Sequence, residues 1–391
     1  MVLAEPPRFA LNDGDRIVLV GDTMVERDQR YGYLETILTL RNPEKDLTFR
    51  NLGWSGDTVA GLSRAGFDPP EAGYRQLIEQ VLAAKPTVLV VGYGMADSFD
   101  GEAGRTRFVA GLNRFLDAVA PTRARVVLIS PIAHSRQGES LPDPSPHNAM
   151  LERYARSIGE VAQSRGAWFI DLFEPFRVRE GRAAITDNGI HLNEAGYRFL
   201  AGRIVRDLEP SGDREIPRVE LNADGTAGPA RGAKLEGVQR SAKGVRFRLT
   251  RETLAVAGDE VDRPLIDSSL WLRFTGLPAG RHALRIDGRP VEIRSADEWA
   301  RGVSIAAGPD REQVDRLRAA INQKNRLFFH RWRPQNITYL FGFRKHEQGN
   351  NAVEIPRFDP LVAEQEREIA RLRKPVSHEF EVIPAAGEGG R

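Results

Sequence analysis

The chain contains no cysteine, which excludes disulfides, thiolate chemistry and cysteine-based metal sites. Nothing in it approaches the ~20 consecutive apolar residues that a membrane-crossing helix needs, so no membrane span is expected. Charge of neither sign dominates: 56 Lys and Arg stand against 54 Asp and Glu. So balanced a chain has no general pull toward nucleic acid or an acidic surface. The 7 histidines are scattered, with neither a His-x-x-x-His pair nor an Asp/Asn-rich loop, and no metal is expected. Gly92-Tyr-Gly94 lacks the spacing of a phosphate loop, so no cofactor is expected either. No internal repeat or low-complexity tract is present. The opening Met-Val-Leu-Ala-Glu-Pro-Pro lacks a basic stretch followed by an apolar one, so these residues do not read as a signal peptide. A mature exported protein would read the same way, which leaves the compartment open.

What is present fills two domains. At 391 residues the chain exceeds the ~250–300 at which single cores stop growing. Residues 1–210 alternate strand-like and helix-like segments. Apolar runs at 17–20, 47–52, 88–91, 126–129 and 168–172 read as strands. Helical spacing covers 31–40, 74–84, 108–119, 148–162 and 194–208. Strands apolar along their whole length, separated by amphipathic helices, predict a parallel sheet covered on both faces. The expectation is a three-layer αβα sandwich of flavodoxin-like type, with ligands at the C-terminal strand ends. After a Pro-Ser-Gly-Asp linker near 209–218, residues 211–391 read as a smaller antiparallel β-sandwich. Its strands fall at 244–249, 270–274, 282–286, 291–293 and 379–383, with a turn at Asp287-Gly288. A helical insert at about 297–375 interrupts it, and the Gly-rich end after Pro384 reads as disordered.

Four short segments at predicted strand ends carry the chemistry. They are Gly21-Asp22-Thr23, Asn51-Leu-Gly-Trp-Ser55-Gly56-Asp57-Thr58, Gly94-Met95-Ala96-Asp97 and Asp187-Asn188-Gly189-Ile190-His191-Leu192-Asn193. Acyl transfer needs a hydroxyl, an imidazole to take its proton, and N–H donors aimed at the developing oxyanion. Thr23 supplies a hydroxyl where a strand meets a helix, and His191 sits on the last loop before a helix.

In order and in their place at strand ends these segments resemble the four blocks of the SGNH (GDSL-type) hydrolases, over roughly residues 15–208. The resemblance implies an SGNH-like sandwich and an ester-linked acyl substrate, a small molecule or a glycan ester. It further implies Thr23 as nucleophile, His191 as base, Asn188 or Asp187 as the group orienting it, and the Gly56 N–H as oxyanion donor. Ser55, Ala96, Asp97 and Asp22 would line the oxyanion pocket.

Three positions depart from the family. Thr23 replaces serine, and its methyl crowds the approach to a carbonyl. Ala96 replaces the asparagine donor, a loss worth about 2.7–4 kcal/mol elsewhere. Asn188 replaces the acid three residues before the histidine, an exchange that favours the wrong imidazole tautomer and costs roughly 10⁴ in rate in serine proteases. Together they leave two main readings open: a carboxylic ester hydrolase, of the carbohydrate O-acyl esterase kind, with a weakened catalytic set, or a binding module that kept the pocket and lost the reaction. Other chemistry in the same cleft, through Asp22, Asp97 or the His330 and His346 region, is a third.

Each residue also has a plain structural use. Thr23 suits a helix N-cap, Asp22 and Asp97 suit hydrogen-bond acceptors at the sheet end, and His191 suits a histidine bonded to a carbonyl. His134 and His147 flank a Pro-rich loop at 141–146 that would rim the site. Between 328 and 347, aromatic and cationic residues interleave around Phe328, Trp332, Phe341 and Arg344. Such a stretch suits a packed seam or a ring-stacking surface. The seam predicts that Trp332 and Phe341 are largely buried and that Arg331 or Arg333 pairs with acids from the first domain, residues 1–210.

Overall fold

A computed structural model describes residues 9–139, 141–179, 185–209, 216–241, 244–254, 256, 269–349 and 351–385. The opening seven residues, most of the 209–218 linker and the Gly-rich end after 385 lie outside the described residues. The rest divides into two compact units, one drawn from 1–35, 45–210 and 320–367, the other from 36–44, 211–319 and 368–391.

In the first unit and its flanking segments the chain runs β1 (Arg16–Gly21), α1 (Thr23–Asp28), α2 (Tyr33–Arg41), β2 (Thr48–Asn51), α3 (Pro70–Ala84) and β3 (Val88–Gly92). It continues through α4 (Gly101–Val119), β4 (Arg125–Ile129), α5 (Ser145–Arg165), β5 (Trp168–Ile170), α6 (Phe173–Val178) and α7 (Glu194–Leu208). The five strands form one sheet in the order β2-β1-β3-β4-β5, every pair parallel. Val18, Val20, Leu89, Val91 and Leu128 pack against Leu77 and Val81 of α3, Phe108, Leu112 and Phe115 of α4, and Tyr154 and Ile158 of α5. The alternate residues Ile17, Leu19, Val90 and Val127 are buried as well, as a sheet covered on both faces requires. The helix expected to follow Thr23 is α1, which lies outside the ranges of helical spacing. It is only six residues long, too short for a helical period to show. Gly21 ends β1 opposite Gly92 of β3, where a Cβ would lie 2.2 Å from the Gly92 carbonyl oxygen. That close approach admits no side chain and brings the two strand ends together beneath the site.

The second unit contains two sheets. Its strands are β6 (Arg218–Asn222), β7 (Ala227–Arg231), β8 (Ala233–Ser241), β9 (Gly244–Arg251), β10 (Leu270–Thr275), β11 (Arg281–Ile286) and β12 (Arg289–Ser295). After α8 (Ala296–Arg301) and β13 (Val303–Ile305) the chain runs through α9 (Pro309–Trp332), α10 (Ile337–Leu340) and α11 (Phe358–Leu372), of which residues 320–367 belong to the first unit, and ends in β14 (His378–Pro384). The sheet orders are β13-β10-β6-β7 and β12-β11-β14-β9-β8. Their shared core sets Phe247, Phe274, Phe380 and Trp299 among Val219, Leu272, Leu284 and Val382. The expectation of a wholly antiparallel sandwich needs one correction, because β6 and β10 pair in parallel. The chain between them builds β7 to β9 before returning, which supplies the crossover that parallel neighbours require. The turn at Asp287-Gly288 has φ of 49° and 77°, the doubly left-handed geometry of a tight hairpin.

Within the expected helical insert, α9 runs unbroken as far as Trp332. The i, i+4 spacing that continues through it puts Phe328 and Trp332 on one face, and both pack against the α/β core. Within the same unit the Lys324 ammonium, 1% exposed, donates to both Glu35 carboxylate oxygens at 2.8 and 2.7 Å. It donates a third bond to the Phe49 carbonyl at 3.2 Å. All three of its protons are thereby satisfied, which a buried lysine needs.

Candidate active site

The site begins where β1 stops. Asp22, in extended conformation, caps α1: its Oδ1 accepts the Met24 N–H. The N-cap reading for Thr23 is thereby corrected, because the short carboxylate of the preceding residue takes that role and Thr23 becomes the first helical residue. Its side chain is left to face Gly56, whose N–H donates to Thr23 Oγ1 at 3.0 Å. The expected oxyanion donor and the expected nucleophile are therefore in contact, and the Thr23 hydroxyl proton remains to be given to another acceptor.

The loop after β2 is held by a buried ion pair. Asp57 and Arg64, whose side chains are fully buried, meet at 2.8 Å. Asp57 also accepts the Ser63 N–H and the Tyr93 hydroxyl, and Arg64 donates to the Leu52 carbonyl and Gln80. Ser55 points its N–H at the Glu26 carboxylate rather than into the pocket. Asp97 Oδ1 accepts the Val59 N–H at 3.3 Å, tying the loop after β3 to the one after β2. Ala96 precedes the short turn Asp97–Asp100 in helical conformation and has no polar side chain to offer.

The last loop carries His191. Asn188 Oδ1 accepts two backbone N–H groups, those of His191 at 2.9 Å and Ile190 at 3.2 Å. This orients the amide so that its NH₂ faces His191 Nδ1 at 3.1 Å. An amide NH₂ only donates, so Nδ1 accepts and the neutral ring carries its proton on Nε2. Asp187 turns away, and its carboxylate pairs with Arg27 at 2.8 Å. Of the two groups considered for orienting the imidazole, Asn188 is the one hydrogen-bonded to it.

Asp22, Thr23, Arg27 and His191 line one open pocket of about 390 Å³ together with Met24, Met95, Ile132, Ile190, Leu192 and Tyr197. Gly56, Ser55, Ala96, Asp97, Asn188 and Asp187 are not on its wall, though Gly56 and Asn188 touch residues that are. Burial sets the electrostatics. It lowers the His191 pKa, helped by the Arg27 charge and opposed by Asp187. Burial pushes Asp22 up to about 7, with Asp97 adding to it. Burial likewise pushes Asp97 up to about 7. His134 and His147 stack at 5.1 Å, but neither lines the pocket. His134 is pushed down to about 4 by burial and by the neighbouring His147 and His191.

Arg27 is the residue the sequence reading missed. It lies four residues after Thr23, and the short helix α1 turns both to the same face. Of the 328–347 segment, Arg333 pairs with Glu26 at 2.9 Å and Arg331 with Asp359 at 2.8 Å. Phe341, expected to be buried, is 54% exposed. The reason is local: α9 ends at Trp332, and α10 is a single turn with no buried residue. Neither His330 nor His346 lines the pocket. Among the described residues no group of three or more His, Asp or Glu could hold a metal ion. No helix there is long and apolar enough to cross a membrane.

A β2-β1-β3-β4-β5 parallel sheet flanked by helices, with the four motif segments at its strand ends, is an SGNH-like α/β fold. Residues 14–199 match the model of the GDSL-like Lipase/Acylhydrolase family. Among solved structures, a gut microbial diltiazem-metabolizing enzyme aligns over 98% of this chain and 100% of its own, at TM-score 0.76 and 16% identity. The likeness of fold therefore extends to the β-rich region. A catalytic mutant of an acetylxylan esterase from Geobacillus stearothermophilus aligns over 51% of this chain and 95% of its own, at TM-score 0.40 and 19% identity. The lipase/acylhydrolase from Enterococcus faecalis covers 50% of this chain and 95% of its own, at TM-score 0.38 and 23% identity. Curated proteins yield no match.

Proposed function

We propose that this protein is a hydrolase of ester-linked acyl groups whose catalytic set is attenuated. The observation that carries the reading is the Thr23 hydroxyl on the wall of a largely apolar pocket shared with His191, with the Gly56 N–H already 3.0 Å from its oxygen. Thr23 attacks the acyl carbon while His191, in its minor Nδ1–H tautomer, takes the hydroxyl proton at Nε2 and passes it to the leaving alcohol. Water, deprotonated by the same Nε2, then attacks the acyl-Thr23 ester, and the proton returns to Thr23 as the acid leaves. The N–H groups of Gly56 and Thr23 stabilise the oxyanion, Gly56 exchanging its ground-state bond to Oγ1 for one to the oxyanion. Asn188 orients the imidazole. The apolar wall of Met24, Met95, Ile132 and Leu192 suits a small acyl group, and the O-acyl groups of carbohydrates are the substrate class to test first.

A second reading rests on Asn188. An Nδ1 that accepts from an amide leaves Nε2 protonated and unable to take a proton from Thr23, as expected of a pocket that binds ligands without turnover. Hydrolysis of p-nitrophenyl acetate and of acetylated sugars by wild type, Thr23→Ala, Thr23→Ser and His191→Ala separates the two. The hydrolase reading expects slow turnover that rises in Thr23→Ser, where the methyl is gone, and vanishes in both alanine variants. Turnover indifferent to both alanine variants refutes it. Inert wild type protected thermally by an acylated sugar supports the binding module.

A further inference from the structure

Helix α9 ends beside the loop that carries Gly56, although it lies more than a hundred residues beyond the hydrolase domain in sequence. We propose that Arg333, assisted by Trp332, is a positioning residue of the site: it holds Trp54, Ser55 and Gly56 against α1, so that a segment outside residues 14–199 completes the oxyanion loop. The proposal rests on the hydrolase reading for its kinetic consequence, but its geometry stands apart from it.

The contacts form a closed circuit. The Arg333 guanidinium lies 3.6 Å from the centroid of the Trp54 ring and donates to Glu26 Oε2 at 2.9 Å. The same Glu26 oxygen accepts the Ser55 N–H, one residue before Gly56. The Trp332 ring meets the Trp54 ring edge-on at 5.9 Å, and Arg64 lies over both rings at 5.3 and 5.8 Å. Glu26 stands one turn after Thr23 on α1. The loop backbone rests directly on that turn, since a Cβ at Gly53 would lie 2.2 Å from the Glu26 nitrogen. Arg333 thus holds both ends of the Thr23–Gly56 contact: Glu26 on the nucleophile helix and Trp54 on the loop. Without Arg333, Glu26 loses the cation that fixes its carboxylate, and Ser55 loses a fixed acceptor. Gly56 then shifts relative to Thr23, and misplacements of about 1 Å cost up to roughly 10² in rate.

The experiment compares wild type, Arg333→Ala, Arg333→Lys and, as a control from the same segment, Arg331→Ala. Three readouts are taken: kcat and KM for p-nitrophenyl acetate, the thermal midpoint, and the Gly56 amide resonance. Labelling serine with ¹³C at the carbonyl and glycine with ¹⁵N marks only Ser55-Gly56 and Ser211-Gly212. Arg333→Ala is expected to move the Gly56 resonance and to lower kcat about 10- to 100-fold with KM within about twofold. Arg333→Lys, which keeps the ion pair and loses the planar stack, recovers part of both, and Arg331→Ala changes neither. A Gly56 resonance and kcat unmoved in Arg333→Ala overturn the proposal, as does an equal response in Arg331→Ala. Should wild type show no turnover, the hydrolase reading fails and the Gly56 resonance alone decides whether Arg333 positions the loop.

Discussion

Replacing Asn188 with aspartate changes one atom of the site and reverses the proton arrangement at His191. Asn188 Oδ1 accepts the His191 and Ile190 N–H groups, and a carboxylate keeps both bonds. Its second oxygen then stands where the amide nitrogen lies, 3.1 Å from Nδ1. There it accepts a proton instead of donating one. The favoured neutral tautomer becomes Nδ1–H, with Nε2 free to accept from Thr23. The acid-to-amide exchange costs roughly 10⁴ in serine proteases, equivalent to about 5.5 kcal/mol of barrier. Here the Thr23 methyl and the missing donor at Ala96 persist, and such effects do not multiply, so a gain of about 10² in kcat is expected. The added carboxylate also opposes the burial and the Arg27 charge that hold the His191 pKa down. The rising limb of the pH–rate profile should therefore move to higher pH. The assay is p-nitrophenyl acetate hydrolysis across pH 5–9, with ¹⁵N spectra of labelled imidazole to read the tautomer. A variant with its proton on Nδ1 that hydrolyses no faster than wild type would refute the claim that the tautomer limits the rate.

Two further outcomes concern stability. Asp57→Ala strands the fully buried Arg64, and breaking such a pair should cost about 3–5 kcal/mol, read as a lower midpoint in urea. Asp28 is buried with Oδ1 lacking a hydrogen-bond partner, and burial, with Glu35 adding, pushes its pKa from 3.8 up to about 7. Because the folded value lies above the unfolded one, ionisation costs nothing below about pH 4, costs more as pH rises, and is complete above about pH 7. At about 1.4 kcal/mol per unit, Asp28→Asn should be neutral at pH 4 and stabilising by about 2–4 kcal/mol at pH 8. Equal denaturation midpoints at pH 8 would show that Lys324 already compensates the charge.

Some of this protein is local information. Apolar strands and amphipathic helices alternate with periods that dictate β1 to β5 and their covering helices, because a sheet buried on both faces needs unbroken Val, Ile and Leu. Asp287-Gly288 determines its hairpin through φ alone. The four motif segments were legible because each lies at a strand end, where chain order and sheet order together bring Thr23, Gly56 and His191 to one side. The parallel pairing of β6 with β10 was not legible, since it depends on where the intervening strands go. Neither was the exposure of Phe341, which follows from where α9 stops. The decisive local facts of the site also came only with the tertiary structure. Which oxygen Asn188 uses, where Asp187 turns, and which cation reaches Glu26 depend on side chains meeting across distances in sequence that no periodicity records. Sequence order determines which groups arrive at the strand ends. Packing, here including a helix from the far end of the chain, decides which way they face.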